Sequence, residues 1–229
     1  MSDEAKRMAA DAALLELPQG GTLGLGTGST AKLFIDGVGR LVAEGRTFVA
    51  IPTSKASRTQ ASNLGIALLE DDGPWDVDVT VDGADEVDAN LNLIKGGGAA
   101  HAREKIVNFA SKRNVIIVDG SKMSTKLGEK WPIPLEVSTF GHGATAARLA
   151  AFGTPVLRVK DGVPVRTDAG NYVYDLKVPP MDDPGAMDRT LRAVPGVVET
   201  GLFVGRADVV LVAETEGGQA RVRKLERKR

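Results

Sequence analysis

The chain has no cysteine, which removes disulfides, a thiol nucleophile and any thiolate metal site, and fits a cytoplasmic protein. Histidine is nearly as scarce: only His101 and His142 occur, far apart, with neither the H-x-x-x-H nor the H-E-x-x-H spacing of a metal site. No metal is expected. A G-x-S-x-G elbow is missing too, so nucleophilic acyl chemistry lacks support. No apolar run approaches the roughly 20 residues that span a bilayer, and the charged start MSDEAKRM lacks the apolar core of a signal peptide. A formal charge of −1 offers nucleic acid no basic field. The last nine residues, RVRKLERKR, do carry six Lys or Arg, and their terminal position predicts a solvated or frayed tail. Repeats, coiled-coil heptads and low-complexity tracts are absent. What remains is acid–base chemistry by carboxylate and lysine in an ordinary globular chain of 229 residues, 42% of them hydrophobic, long enough for one large or two small domains.

Strands alternate with helices through the first half. An amphipathic helix is predicted from about Ser2 to Leu17, with Met8, Ala12 and Leu15 on its inner face, ended by Pro18, Gly20 and Gly21. A strand at Thr22 to Leu25 leads into Gly26-Thr27-Gly28-Ser29-Thr30 and a helix from about Ala31, with Leu33/Phe34, Val38 and Leu41/Val42 facing inward. Backbone amides at such a helix start favour an anion, and the Ser29 and Thr30 hydroxyls add donors, so a phosphate is the natural occupant. The bland alternative is a tight glycine turn with Ser29 or Thr30 as helix cap. Ser29 stands where a dinucleotide fingerprint needs glycine, and no G-x-x-x-x-G-K occurs. Strands at Phe48 to Ile51, Ile66 to Leu69 and Val115 to Val118, with a helix from Pro52-Thr53-Ser54-Lys55 to about Asn63, complete a doubly wound, mostly parallel, Rossmann-like sheet.

The stretch VDVTVDGADEVDANLNLIKGGGAAHAREK, Val77 to Lys105, is central. Val77, Val79 and Val81 alternate with polar residues and stop at Gly83, which puts Asp82 at a strand's carboxyl end, where open α/β sheets bind ligands. Asp85, Lys95, a triple glycine and Glu104 follow, and Lys122 ends the next strand in Asp119-Gly120-Ser121-Lys122. Carboxylates, ammonium groups and free amides suit proton transfer on a small polar substrate. Each has a plainer reading: Asp82 and Asp85 as turn residues, Lys95 as a solvated lysine. Glu104 falls nearly opposite the apolar stripe Ala99, Ala102, Ile106, Phe109 and Ala110 of a helix over about Gly98 to Lys112, as an exposed helical glutamate would.

From Trp131 the texture changes. Ile133 to Val137, a helix near Ala144 to Phe152, Val156 to Lys160, a turn at Asp161-Gly162, Tyr172 to Val178, a helix from Pro184 to about Ala193 and Val197 to Val204 give a β-α-β-β-α-β order, the split pattern of ferredoxin-like folds. The strand Asp208 to Ala213 is expected to return to the first sheet. The predicted organisation is an α/β doubly wound domain, 1–130 and 205–229, with a smaller ferredoxin-like α+β domain inserted at 131–204.

Five stretches in order, GLGTGST (Gly24 to Thr30), VDGADE (Val81 to Glu86), KGGGAA with REK (Lys95 to Lys105), DGSK (Asp119 to Lys122) and PGVVETGLF (Pro195 to Phe203), resemble ribose-5-phosphate isomerase of type A. The resemblance implies reversible conversion of ribose 5-phosphate and ribulose 5-phosphate through an enediolate in the non-oxidative pentose phosphate pathway, without metal, nucleotide or other cofactor, by a cytoplasmic homodimer. Carried over by motif, Glu104 is the base between C1 and C2, Asp82 and Lys95 bind the reacting oxygens, and Asp85 assists ring opening. Substrate contacts would come from Thr27, Gly28, Ser29, Thr30, Asp82, Gly83, Ala84, Asp85, Lys95, Gly96, Gly97, Gly98 and Lys122, with Lys6 a further candidate for the phosphate. A base working near neutral pH calls for desolvation of Glu104 in the cleft. The rivals are a sugar-phosphate sensor domain without catalysis, and a coenzyme A transferase or amino-sugar-phosphate deaminase on a similar fold. The basic C-terminal extension touches no motif.

Overall fold

A computed structural model describes residues 3–216 and 219–227. In chain order its elements are α1 (Asp3–Leu14), β1 (Gly20–Leu25), α2 (Ser29–Ala43), β2 (Thr47–Pro52), α3 (Lys55–Asn63), β3 (Ala67–Leu68), β4 (Val77–Asp82), β5 (Glu86–Val87), β6 (Leu93–Ile94), α4 (His101–Phe109), β7 (Ser111–Asp119), β8 (Ile133–Val137), α5 (His142–Leu149), β9 (Thr154–Leu157), β10 (Val159–Lys160), β11 (Val163–Pro164), β12 (Tyr172–Lys177), α6 (Pro184–Arg192), β13 (Val197–Thr200), β14 (Leu202–Phe203), β15 (Val209–Glu216) and β16 (Gln219–Glu226). They fall into two compact units. One takes the chain up to Gly83, Arg103–Ser121 and the chain from Arg206 on; the other takes Ala84–Ala102 and Lys122–Gly205. The expected insert, 131–204, lies within the second unit, which also holds Ala84–Ala102 and the residues from Lys122.

The first unit is a seven-stranded sheet in the order β16-β15-β7-β4-β1-β2-β3, parallel except for β16. The chain winds outward from β1 to β3, then returns to the other side of β1 as β4, so the strand order reverses between β1 and β4. In open α/β sheets that reversal opens a crevice at the carboxyl ends. Phe34 and Val38 of α2, and Ala9 and Ala13 of α1, are buried with Leu23, Leu25, Val79 and Val81 of the sheet. Val107 of α4 packs with Ile51 and Val77 in a separate cluster.

Two sequence expectations fail here. Leu15 is 86% exposed, and the buried face of α1 is Ala9, Ala10 and Ala13. The helix ends at Leu14, and Leu15, Glu16 and Leu17 donate to carbonyls three residues back, which tightens the turn and carries Leu15 out of helical register. The basic run is not a frayed tail: Gln219–Glu226 forms β16, antiparallel to β15. Val222 packs against the core while Arg223 pairs with Glu214 at 2.6 Å and Lys224 with Glu16 at 2.8 Å. Val222 between exposed Arg221 and Arg223 suits an edge strand, and Lys or Arg on it discourages further pairing. Ser2, Lys228 and Arg229 lie outside the described residues.

The second unit holds an antiparallel sheet in the order β13-β8-β12-β9, with α5 between β8 and β9 and α6 before β13. That is the ferredoxin-like arrangement. Its core gathers Ile133, Leu135, Val137, Leu149, Tyr174, Leu176 and Leu191. The strand expected over Val197 to Val204 breaks at Gly201, where a side chain would meet the Lys95 carbonyl at 2.2 Å; β14 instead pairs with β6 in a three-stranded sheet with β5. The strand expected over Val156 to Lys160 breaks at Arg158, and β10 turns through Asp161 and Gly162, both at positive φ, into β11. Among the described residues no helix is long and apolar enough to cross a membrane.

Candidate active site

In the first unit the glycine turn after β1 is fastened to the end of β4. Asp82, 2% exposed, accepts the N–H of Thr27 at 3.0 Å and of Gly83 at 2.8 Å, both on Oδ1. Gly26 donates to the Val81 carbonyl at 3.0 Å, and a Cβ there would stand 2.2 Å from Asp82 Oδ1. Only glycine permits this approach. The Ser57 hydroxyl holds the Gly26 carbonyl at 2.7 Å.

Thr53 and Thr27 share a hydroxyl contact at 2.8 Å, and the Thr53 hydroxyl donates to the Leu25 carbonyl at 3.1 Å. Since Thr53 has one hydroxyl proton, Thr27 is the donor between them. Both donors of Thr27 are therefore engaged within the fold. Gly28, at φ 114, caps α2 without a side-chain cap bond, so neither Ser29 nor Thr30 plays the capping role that was the bland alternative. An open cavity of about 650 Å³ begins at Thr27, Gly28 and Ser29 and passes Lys32, Ser57 and Gln60. A helix start of this kind favours an anion.

Glu104 stands in the first turn of α4 and is 4% exposed. Here the expected helix face is inverted. Ile106 and Phe109, read as inward, are 58% and 59% exposed, whereas His101, Glu104, Lys105 and Asn108 are buried together with Val107. Ala99, with φ 58, lies outside the helix, so the expected stripe loses that member as well. The Arg206 guanidinium stacks 4.2 Å from the Phe109 ring and donates to Asn108 Oδ1 at 3.0 Å, covering one exposed ring and holding one buried amide.

The direction of α4 places Glu104. Val77, which opens β4, donates to the Ala110 carbonyl just beyond α4's last residue, and a Cβ on Gly24 would meet both Thr80 and Val107. The helix therefore runs antiparallel to β4, and Glu104, one turn before Val107, lies toward the carboxyl edge that carries Asp82.

In the second unit Asp85, Lys95 and the glycines form one cluster. Asp85 donates its N–H to the Ile94 carbonyl at 2.8 Å and accepts the Gly97 N–H on Oδ2 at 2.6 Å. Lys95, 3% exposed, donates its N–H to the Gly201 carbonyl at 2.9 Å, and its Nζ lies 5.5 Å over the Phe203 ring. Gly96 has φ 114, and Gly97 and Gly98 are exposed. Gly83 and Ala84 are half-buried in the link from β4 to β5. Lys122 ends a short 3-10 turn with its Nζ 5.0 Å over the Trp131 ring. Lys6 is half-buried on α1.

Sequence reasoning missed Thr53 and Ser57, whose only signal was a polar Pro-Thr-Ser run at a strand's carboxyl end. It also missed Arg158, whose guanidinium donates to the carbonyls of Gly96 at 2.7 Å and Gly97 at 3.2 Å. No cluster of three or more His, Cys, Asp or Glu suited to a metal occurs among the described residues.

Comparison with known proteins identifies the family. The family model described as ribose 5-phosphate isomerase A (phosphoriboisomerase A) matches residues 49–217. Ribose-5-phosphate isomerase A of Thermosynechococcus vestitus is 43% identical over 98% of this chain and 99% of its own length. The solved ribose 5-phosphate isomerase A of Methanocaldococcus jannaschii is 38% identical, with a TM-score of 0.90 over 99% of this chain and 100% of that one. A D-ribose-5-phosphate isomerase solved in complex with phospho-erythronic acid is 39% identical, also at a TM-score of 0.90, over 98% of this chain and 99% of that one. The glycine turn, the strand-end aspartate and the buried helical glutamate are thus parts of a member of the ribose 5-phosphate isomerase A family.

Proposed function

We infer that this chain is an aldose–ketose isomerase that interconverts D-ribose 5-phosphate and D-ribulose 5-phosphate through an enediolate. Family membership supports the reaction. The observation that carries the chemistry is the buried Glu104 on the same sheet edge as Asp82, in a unit whose helix start offers amides to a phosphate. Glu104 takes the C2 proton of the open-chain aldose, the electron pair moves into the C1–C2 bond and onto O1, and the same carboxyl group returns the proton to C1 as the O2 proton moves to O1. A hydrogen beside a carbonyl is a very weak acid, so the enediolate needs donors close by. Asp82 and Lys95 bind the reacting oxygens, and Asp85 assists ring opening. Gly28, Ser29, Thr30 and Lys122 hold the phosphate. Thr27 shapes that turn, because both its donors are engaged. Gly97 likewise gives its N–H to Asp85, which leaves Gly96 and Gly98 as the donors of the triple glycine.

Membership of this family also supports a place in the non-oxidative pentose phosphate pathway, a cytoplasmic location and a homodimer. Ribose 5-phosphate conversion measured in the presence of a chelator tests the reading. Turnover is expected; no conversion, or strict dependence on added metal, overturns it. A sensor domain would bind ribose 5-phosphate without converting it.

A further inference from the structure

We propose that Arg158, clamped by Asp175, is a positioning residue for the reaction: it fixes the peptide planes of the Lys95–Gly98 turn and so aims the Gly98 N–H and the Asp85 carboxylate at the sugar. This deepens the isomerase reading and rests on it. Arg158 lies at the break between β9 and β10, and its backbone is pinned on both sides, donating to the Val173 carbonyl at 2.8 Å and accepting from Val165 at 2.9 Å. Its side chain, 16% exposed, meets Asp175 in a bidentate pair, Nε to Oδ2 at 2.9 Å and Nη2 to Oδ1 at 2.5 Å. The remaining nitrogen, Nη1, donates to the carbonyls of both Gly96 and Gly97.

A trans peptide points its carbonyl and the following N–H in opposite directions. With the Gly96 carbonyl on Arg158, the Gly97 N–H is turned away, and it lands on Asp85 Oδ2 at 2.6 Å. By the same geometry the Gly97 carbonyl on Arg158 turns the Gly98 N–H to that side as well. A glycine turn is soft, and here Gly96 sits at φ 114 where His101 occupies the space a side chain would need. The guanidinium thus joins the Ala99 N–H, which also meets the Gly96 carbonyl at 3.0 Å, in setting the direction of two amides and one carboxylate. Its charge also polarises the two peptides, which strengthens their N–H groups as donors. Lysine offers a single point charge and cannot bind Asp175 bidentately while reaching both carbonyls.

The test compares wild type, Arg158→Lys and Asp175→Asn by kinetics on ribose 5-phosphate, inhibition by phospho-erythronic acid and by inorganic phosphate, and thermal melting. Arg158→Lys is expected to lower kcat about 10- to 100-fold, the scale on which misplaced catalytic groups act, with KM changed no more than about twofold. The inhibition constant of the phospho-acid, which carries a carboxylate where the enediolate forms, should rise alongside the loss of kcat, while that of inorganic phosphate stays put. Asp175→Asn should move the same quantities the same way by less, and guanidinium ion should restore part of kcat to Arg158→Ala. A normal kcat in Arg158→Lys overturns the proposal. So does a loss of kcat with the phospho-acid still bound as in wild type, or an unfolded Arg158→Lys beside a folded, fully active Asp175→Asn. A wild-type chain inactive on ribose 5-phosphate would remove the isomerase reading and this inference with it, whereas active wild type with active variants removes the inference alone.

Discussion

Asp82 Oδ1 accepts the Thr27 N–H at 3.0 Å across the point where the strand order reverses between β1 and β4. One carboxylate thereby joins the proposed chemical end of the site to its phosphate end, and Gly26 makes room for it. Gly26→Ala puts a methyl 2.2 Å from Asp82 Oδ1, a separation no real contact sustains, so either the turn or the carboxylate must move. We expect KM for ribose 5-phosphate to rise and kcat to fall, each by roughly tenfold or more, and the melting temperature to drop, because the methyl also meets the Asp82 backbone. A Gly26→Ala enzyme with wild-type constants would show that this contact does not organise the site.

Glu104→Gln keeps size and hydrogen bonding but cannot take the C2 proton. Loss of a general base lowers kcat by roughly 10²-fold or more, with KM much less affected. Exchange of the C2 hydrogen with solvent deuterium should fall in parallel, because it shares the proton-transfer step. Near-normal turnover in Glu104→Gln together with an inactive Asp82→Asn would move the role of base to Asp82.

How far the sequence could be read follows from what each signal measures. Period-two alternation at Val77, Val79 and Val81 measures strand faces directly, so β4 and the position of Asp82 were legible. The helix of Glu104 was not, because its hydrophobic pattern weighed Ile106 and Phe109 as inward when the buried face is polar: His101, Glu104, Lys105 and Asn108. A buried polar face breaks the rule that apolar residues mark the inside. Motif likeness, not periodicity, singled Glu104 out. Arg158 carried no local signal at all, since its partners Gly96, Gly97 and Asp175 are brought to it only by tertiary structure. The terminal strand β16 was hidden by the excess of cations in its sequence, which Glu16, Glu214 and Glu226 offset in the fold.

Glu86 is fully buried and accepts four backbone N–H groups, from Gly128 and Trp131 on Oε2 and from Glu129 and Lys130 on Oε1. The loop that brings Trp131 under Lys122 is therefore wound on one carboxylate. In Glu86→Gln an amide NH₂ faces two donors on one side, leaving two charge-assisted bonds unmade. The expected loss of stability is roughly 3–5 kcal/mol, seen as a lower urea midpoint with an unchanged slope. An unchanged midpoint would mean the loop is held by other contacts.

Asp78 gives a pH test whose sign is fixed by its partners. The Thr22 N–H at 2.9 Å and then the Lys112 ammonium at 2.9 Å hold its carboxyl below the ordinary 3.8. A depressed carboxylate pKa contributes stability that is fully present above the unfolded value and is lost as pH falls through the lower folded value. Asp78→Asn keeps a neutral acceptor for Thr22 but loses the charge. Wild type should therefore melt higher than Asp78→Asn at pH 6, and the two curves should converge as the pH drops below about 3.8. The pair is more than a third exposed on both sides, so water screens it and the difference at pH 6 should not exceed about 1 kcal/mol. A melting difference that stays constant from pH 6 to pH 3 would assign the effect to packing or to the Thr22 bond, and not to the charge.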